Sequence, residues 1–346
     1  MLITQSNKYI SQIKTISSSL PDKETTVMVT GATGLIGSCL ADALIIANEF
    51  YNKRYKVVLV GRSEEKLRKR FSYADHNSLV YVVQDIMAPI HGDLNVDYIL
   101  HTASNADPVT YSNYPAETLL TNIYGTQNVL DYCRRHSKTR MLFTSTFEVY
   151  GLIDNQDVYR EDDSGQIDLN QIRSCYPESK RCAEILVRCY QKEHGIDGVI
   201  ARLCSIYGPT MSSDDSKAHA QFIRNGIQGK DIVLKSLGEQ TRTYAYLVDA
   251  VSGIFTVLFK GKSGDVYNIS NDKSVASIAE VASTVAKICN TKVIYEPPSE
   301  IERAGFSRPQ NCVLDNAKLR ELGWEGKYNL YNGLMETIDI LRELSC

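Results

Sequence analysis

The sequence predicts an α/β protein: a doubly wound parallel sheet with a smaller, discontinuous C-terminal lobe. Three observations carry this. Short apolar runs at 25–30, 57–60, 79–84, 96–100 and 141–144 show no in/out alternation, the pattern of strands covered on both faces. Helix-like or polar segments separate these runs, so strand and helix alternate. The rhythm then stops after Tyr207-Gly208-Pro209.

The elements follow in order. Residues 1–24 form an N-terminal extension. Leu2, Ile3, Ile10, Ile13, Ile16 and Leu20 have the spacing of an amphipathic helix packed on the main domain. The segment has no unbroken apolar core and does not read as a secretory leader. The dinucleotide-binding type of domain is expected over 25–209. Residues 35–50 have helical apolar spacing, 198–206 read as a sixth strand and 265–269 as a seventh. Residues 238–271 are expected to return to this domain, with 243–260 rejoining the main sheet. Residues 210–237 and 272–346 make the smaller lobe.

Bulk properties exclude some classes. The 346 residues are 43% hydrophobic and 23% charged, enough for a real core. A formal net charge of −3 argues against nucleic acid as a partner. Nothing approaches the length of a membrane span, so no membrane is expected. Nine cysteines without a CxxC pair read as reduced thiols in a cytoplasmic protein. Six histidines show no HExxH or other metal spacing, so no metal is expected.

The first strand runs into Gly31-Ala-Thr33-Gly34-Leu35-Ile36-Gly37, a GxxGxxG spacing. Gly31 permits a tight turn, Gly34 lets the backbone approach a pyrophosphate, and Gly37 lets the next helix sit close. The helix N-terminus then presents free N–H groups to the phosphates. At the end of the second strand, an acidic residue would accept from a ribose 2′-hydroxyl. Here the place holds Gly61-Arg62-Ser63. Arg62 and Ser63 can donate to a 2′-phosphate, which predicts NADP(H) favoured over NAD(H). The alternative is an Arg62 that is solvated or stacked on adenine. Asp85 and Ile86 end the third strand, where Asp85 can accept from an adenine amino group or mark a surface turn.

Tyr176-Pro-Glu-Ser-Lys180 is a YxxxK spacing that opens a helix-like segment reaching His194. Pro177 suits the first turn, and a separation of four puts Tyr176 and Lys180 on one face. A phenol titrates near about 10. A neighbouring ammonium and an oxidised nicotinamide would both favour the phenolate.

Further segments join this pair: His101-Thr102-Ala103-Ser104, Thr121-Asn122, Gly125-Thr126, and Thr144-Ser145-Thr146-Phe147-Glu148-Val149-Tyr150-Gly151. From about Thr25 to Trp324, this ordered set resembles the extended short-chain dehydrogenase/reductase family that modifies nucleotide sugars. The resemblance is greatest to UDP-glucuronate decarboxylase-like members, and it implies a Rossmann fold. It also implies that Thr146 bonds a substrate hydroxyl, Tyr176 is the acid/base, Lys180 is its partner, and Glu148 lies near the sugar. Thr102, Ala103, Ser104, Asn122, Thr144 and Arg202 join the glycine loop as cofactor residues. Ser205, Lys217, Arg242 and Arg308 fall on the substrate side, with Arg242 clamping a diphosphate. The helices near 117–133 and 176–194 resemble those that pair in family homodimers.

Three departures stand out. Phe147 replaces the acidic residue of dehydratases, Lys217 replaces an arginine of decarboxylases, and Ser205 replaces a frequent asparagine. Two enzyme readings follow. One is internal redox on a nucleotide-diphosphate sugar, of epimerase or decarboxylase type. The other is NADPH-dependent reduction of a nucleotide-linked keto sugar, with a nucleotide-linked alditol as a possible product. A non-catalytic dinucleotide sensor is the third reading.

Overall fold

The computed structural model describes residues 2–90, 94–299 and 310–345. Helix α1 (Asn7–Ser19) is capped by Ser6, whose hydroxyl accepts from the Tyr9 N–H. Then come β1 (Thr25–Thr30), α2 (Leu35–Tyr51), β2 (Tyr55–Gly61), α3 (Glu64–Arg70), β3 (Leu79–Val83) and β4 (Tyr98–His101). Next are α4 (Pro108–Asn113), α5 (Pro115–Arg135), β5 (Arg140–Thr146), β6 (Val158–Tyr159), α6 (Cys175–His194) and β7 (Asp197–Leu203). The chain continues through β8 (Ser205–Tyr207), α7 (Ala218–Ile227), β9 (Ile232–Leu234), β10 (Thr241–Tyr246), α8 (Leu247–Lys260) and β11 (Val266–Ile269). It closes with β12 (Val275–Ser277), α9 (Ile278–Cys289), β13 (Val293–Tyr295), β14 (Val313–Leu314) and two helices, Ala317–Glu321 and Leu330–Glu343.

The central sheet has seven strands in the order β11-β7-β5-β4-β1-β2-β3, every pair parallel. Strand order reverses between β1 and β4, which opens a crevice at the carboxyl ends of those two strands. Both faces are covered, so alternate residues of one strand enter different cores. Val27 and Val29 pack with Leu40 and Leu44 of α2 and with Val251 and Ile254 of α8. Met28 packs with Val129 of α5 and Val187 of α6. This double burial is why the strands read as unbroken apolar runs.

The amphipathic N-terminal helix is present. Tyr9, Ile13 and Ile16 are its buried apolar residues. The Tyr9 hydroxyl donates to Asp42 of α2 at 2.6 Å, and Asp42 also takes a two-pronged ion pair from Arg70.

Two expectations are corrected. The strand expected over 198–206 is two strands, broken at Cys204. Its second part, β8, leaves the main sheet and joins β10 and β12 in a three-stranded sheet. Residues 243–260 likewise do not add a strand to the main sheet. β10 pairs with β8 and β12, while α8 carries the chain back beneath the seven strands. Periodicity cannot distinguish these cases, because a short apolar strand looks alike in either sheet.

Candidate active site

The glycine loop turns as its spacing requires. Gly31 sits at φ +68°, and a Cβ there would lie 2.9 Å from the Ala103 backbone. A Cβ on Gly37 would lie 2.4 Å from the Gly31 carbonyl oxygen, so α2 approaches the turn only because residue 37 is bare. Gly34 is the N-cap of α2, with Leu35 and Ile36 opening the helix. Thr210 donates to the Leu35 carbonyl at 2.7 Å, tying the loop after β8 to this end of α2.

A cavity of about 260 Å³ lies over this turn. Gly31, Thr33 and Gly34 form one wall. Arg62, Asp85 and Ile86 form the end beyond β2 and β3, and Thr102, Ala103 and Ser104 form the wall after β4. Gln84, Asn105 and Thr121 also line it and are additions to the expected set. A bare-backbone cradle at a helix N-terminus, beneath a cavity at the sheet's switch point, fits a dinucleotide. Arg62 is two-thirds exposed and lies 3.8 Å from Glu117. The Ser63 hydroxyl accepts from the Lys66 N–H and so caps α3.

Other expected cofactor residues hold the cavity's far side. Asn122 accepts from Ser104 at 2.8 Å and donates to Ser179 at 2.8 Å, and Ser179 donates to the Tyr176 carbonyl. Asn122 therefore links the strand-four wall to α6. Thr144 donates to the His101 carbonyl at 2.9 Å.

Arg202, expected on the cofactor side, is engaged within the protein. Its guanidinium donates to both oxygens of Glu184, at 3.0 and 2.8 Å, and to the Glu161 carbonyl at 2.9 Å. It also stacks over Tyr150. These bonds take three of its five N–H groups, and it does not line the cavity.

The YxxxK pair lies on the buried face of α6. Lys180 is 2% exposed and donates to the Thr144 carbonyl at 2.9 Å. Burial lowers its pKa to about 7, partly opposed by Glu184. Tyr176 is 8% exposed and hydrogen-bonded with Thr146. Burial pushes the phenol well above its usual range, the Glu148 charge adds to this, and Thr146 and Arg173 oppose it. The Lys180 ammonium is directed to the Thr144 carbonyl, and Thr146 and Arg173 are the groups that hold the phenol down. His101 bridges Thr30 and Thr126 beneath the site, and burial followed by Lys180 lowers its pKa to about 3.

Glu148 is not solitary. Arg173, on the turn before α6, donates to its two oxygens at 2.7 and 3.1 Å. Arg173 also reaches the Tyr111 hydroxyl at 3.3 Å. The Tyr111 ring stacks on Tyr176, with centroids 5.4 Å apart and planes at 17°. Arg173 and Tyr111 were not among the expected residues. The nearness of Arg173 to Tyr176 in sequence was the available signal, while Tyr111 gave none.

On the substrate side, Arg242 lies on β10 with its guanidinium 5.6 Å over the Phe147 ring. Ser205 opens β8 beside Tyr244. Lys217 is the N-cap of α7 and pairs with Asp215. Arg308 lies outside the described residues. Among the described residues, no group of acidic, cysteine or histidine side chains could hold a metal, and no helix is long and apolar enough to cross a membrane.

Fold and site together define a dinucleotide-binding enzyme of the extended short-chain dehydrogenase/reductase type. A family model described as the NAD dependent epimerase/dehydratase family matches residues 27–270, and the chain belongs to that family. It is 33% identical to UDP-glucuronic acid decarboxylase 6 of Arabidopsis thaliana over 317 residues, 89% of this chain and 86% of the relative. It is 30% identical to UDP-glucuronic acid decarboxylase 1 of Xenopus tropicalis, covering 92% of this chain and 72% of that one. Among solved structures, UDP-glucuronic acid 4-epimerase from Bacillus cereus, in complex with UDP-glucuronic acid and NAD, superposes with a TM-score of 0.74 at 26% identity. That match covers 92% of this chain and 99% of the other. UDP-glucose 4-epimerase from Thermotoga maritima shares the fold, with a TM-score of 0.77 at 22% identity over 93% of this chain and 100% of that one.

Proposed function

We propose that this protein modifies a nucleotide-diphosphate sugar by hydride transfer, with Tyr176 moving the proton and Lys180 supporting it. The observation that carries this reading is the buried cluster of Tyr176, Thr146 and Lys180, tied to the glycine-loop cavity through Ser104, Asn122 and Ser179. A bound nicotinamide would supply the hydride acceptor and, when oxidised, a positive charge. Gly31, Thr33, Gly34, Asp85 and Ser104 would hold the dinucleotide. Thr146 interacts with the Tyr176 phenol and would orient the sugar hydroxyl. Tyr111 covers the other face of the phenol and excludes water from it. Arg242 would clamp the diphosphate, with Ser205 and Lys217 near the sugar.

For this chain the reading is internal redox of epimerase or decarboxylase type, or a single reduction. Gly61 and Arg62 at the adenosine end of the cavity favour a 2′-phosphate and hence NADP(H), which supports the reductase alternative. A homodimer through α5 and α6 fits the exposure of Leu120, Tyr124 and Ile185 on those helices. The test incubates the protein with each cofactor and UDP-, CDP- and dTDP-linked sugars and weighs the products. A gain of two hydrogens means reduction, loss of carbon dioxide means decarboxylation, and unchanged mass with altered stereochemistry means epimerisation. Tyr176→Phe should abolish either, and an unimpaired variant would remove the mechanism.

A further inference from the structure

Helix α4 is too short to hold itself. It has six residues, and an isolated helix of that length does not persist in water. Yet it carries Tyr111, which is 3% exposed and whose ring stacks on Tyr176. The placing of that ring depends on what fastens the helix.

The fastening at its start is Asp107. One carboxylate oxygen accepts from the Val109 and Thr110 N–H groups, each at 3.1 Å, and so caps the helix. The other oxygen reaches a distant segment, where it accepts from the Ser216 N–H at 2.8 Å and hydroxyl at 2.7 Å. The Ser216 hydroxyl also accepts from the Val109 N–H at 3.3 Å, so it joins the cap. Ser216 is itself fixed. Its carbonyl accepts from Gln221 of α7 at 2.6 Å, and the preceding Asp215 carbonyl accepts from Arg224 of α7 at 2.7 Å. Thr210, earlier in the same segment, is bound to Leu35. Two longer contacts meet Tyr111 from the turn that leads into Tyr176. Arg173 reaches its hydroxyl at 3.3 Å, and the Cys175 thiol reaches its carbonyl at 3.9 Å.

We propose that Asp107 is a positioning residue for Tyr176. With Ser216 it sets α4, and α4 sets the Tyr111 ring against the phenol. A ring held nearly parallel to the phenol limits how that phenol can tilt, and proton transfer needs its oxygen within hydrogen-bond reach of the substrate. A misplacement of about 1 Å can cost about a hundredfold in rate, so a loosened α4 is felt in catalysis. The proposal rests on the nucleotide-sugar reading above, because it needs Tyr176 to move the proton.

The test measures kcat and KM on the nucleotide sugar identified as substrate, with dinucleotide affinity and thermal midpoint for each variant. Asp107→Ala removes both holds and should lower kcat about tenfold or more, with dinucleotide affinity within about twofold of wild type. Asp107→Ser keeps a cap acceptor and should recover at least about threefold of that loss. The deciding arm is the double variant. Tyr111→Ala lowers kcat by itself, and adding Asp107→Ala to it should lower kcat by no more than about twofold further. A merely structural Asp107 would lower the thermal midpoint and multiply the kcat losses in both backgrounds alike. Ser216→Ala repeats the test if Asp107→Ala does not fold, with a loss of about threefold that disappears in the Tyr111→Ala background. An Asp107→Ala kcat within about twofold of wild type, a further loss of about tenfold in the Tyr111→Ala background, or no recovery with Asp107→Ser overturns the proposal. If wild type binds dinucleotide but turns over no nucleotide sugar, the nucleotide-sugar reading falls and takes the proposal with it.

Discussion

Replacing Arg173 with glutamine probes the link between the buried ion pair and the reactive phenol. Arg173 and Glu148 have side chains 18% and 16% exposed and share two hydrogen bonds. Removing the cation leaves the carboxylate largely out of water and unpaired. Breaking a fully buried pair costs about 3–5 kcal/mol; with some solvent reaching this one, about 2–4 kcal/mol is expected. Urea denaturation of the cofactor-free protein reads that loss. The double variant Arg173→Gln, Glu148→Gln removes both charges and should recover about 1 kcal/mol or more. Activity gives an independent reading. Arg173 holds the Tyr176 pKa down, so its loss should raise that pKa further and move the alkaline limb of the rate profile to higher pH. A single-variant loss below about 0.5 kcal/mol, or a double variant no more stable than the single, would refute the reasoning.

Lys180 predicts a pH-dependent stability. Burial lowers its folded pKa to about 7, while the unfolded chain keeps that proton to about pH 10.4. Below about pH 7 both states are protonated and the burial penalty is full; between about pH 7 and 10 unfolding takes up a proton, so stability rises with pH. Lys180→Met should flatten that rise in denaturation measurements, and an unchanged slope would contradict it. Gly37→Ala places a Cβ 2.4 Å from the Gly31 carbonyl and should cost about 1–3 kcal/mol and weaken dinucleotide binding; a variant matching wild type in both would show that the turn yields easily. Arg62→Ala should weaken NADP(H) about tenfold and leave NAD(H) little changed, read by cofactor titration, whereas equal losses would mean that Arg62 only stacks.

Much of the main sheet was legible because its strands are buried on both faces. Val27, Met28 and Val29 are all apolar for that reason. The glycine turn was legible because steric limits at Gly31 and Gly37 leave no substitute. The departure of β8 and β10 was not, since both read as further short apolar strands. Nor did sequence show that Arg202 is committed to Glu184, or that Arg173 and Tyr111 surround the phenol. Those facts depend on contacts between distant segments, such as α4 with the turn before α6. The pairing of Lys217 with Asp215 needed geometry too, although Asp214 and Asp215 stand just before it in sequence.

The most direct test of the central claim follows one hydrogen. A nucleotide sugar identified as substrate would be prepared with deuterium at the carbon to be oxidised, or the nicotinamide labelled where reduction is the net reaction. In a single turnover the label should cross between sugar and nicotinamide in wild type and stay in place with Tyr176→Phe. Label that never crosses in wild type, or that crosses equally well in the variant, would contradict the account.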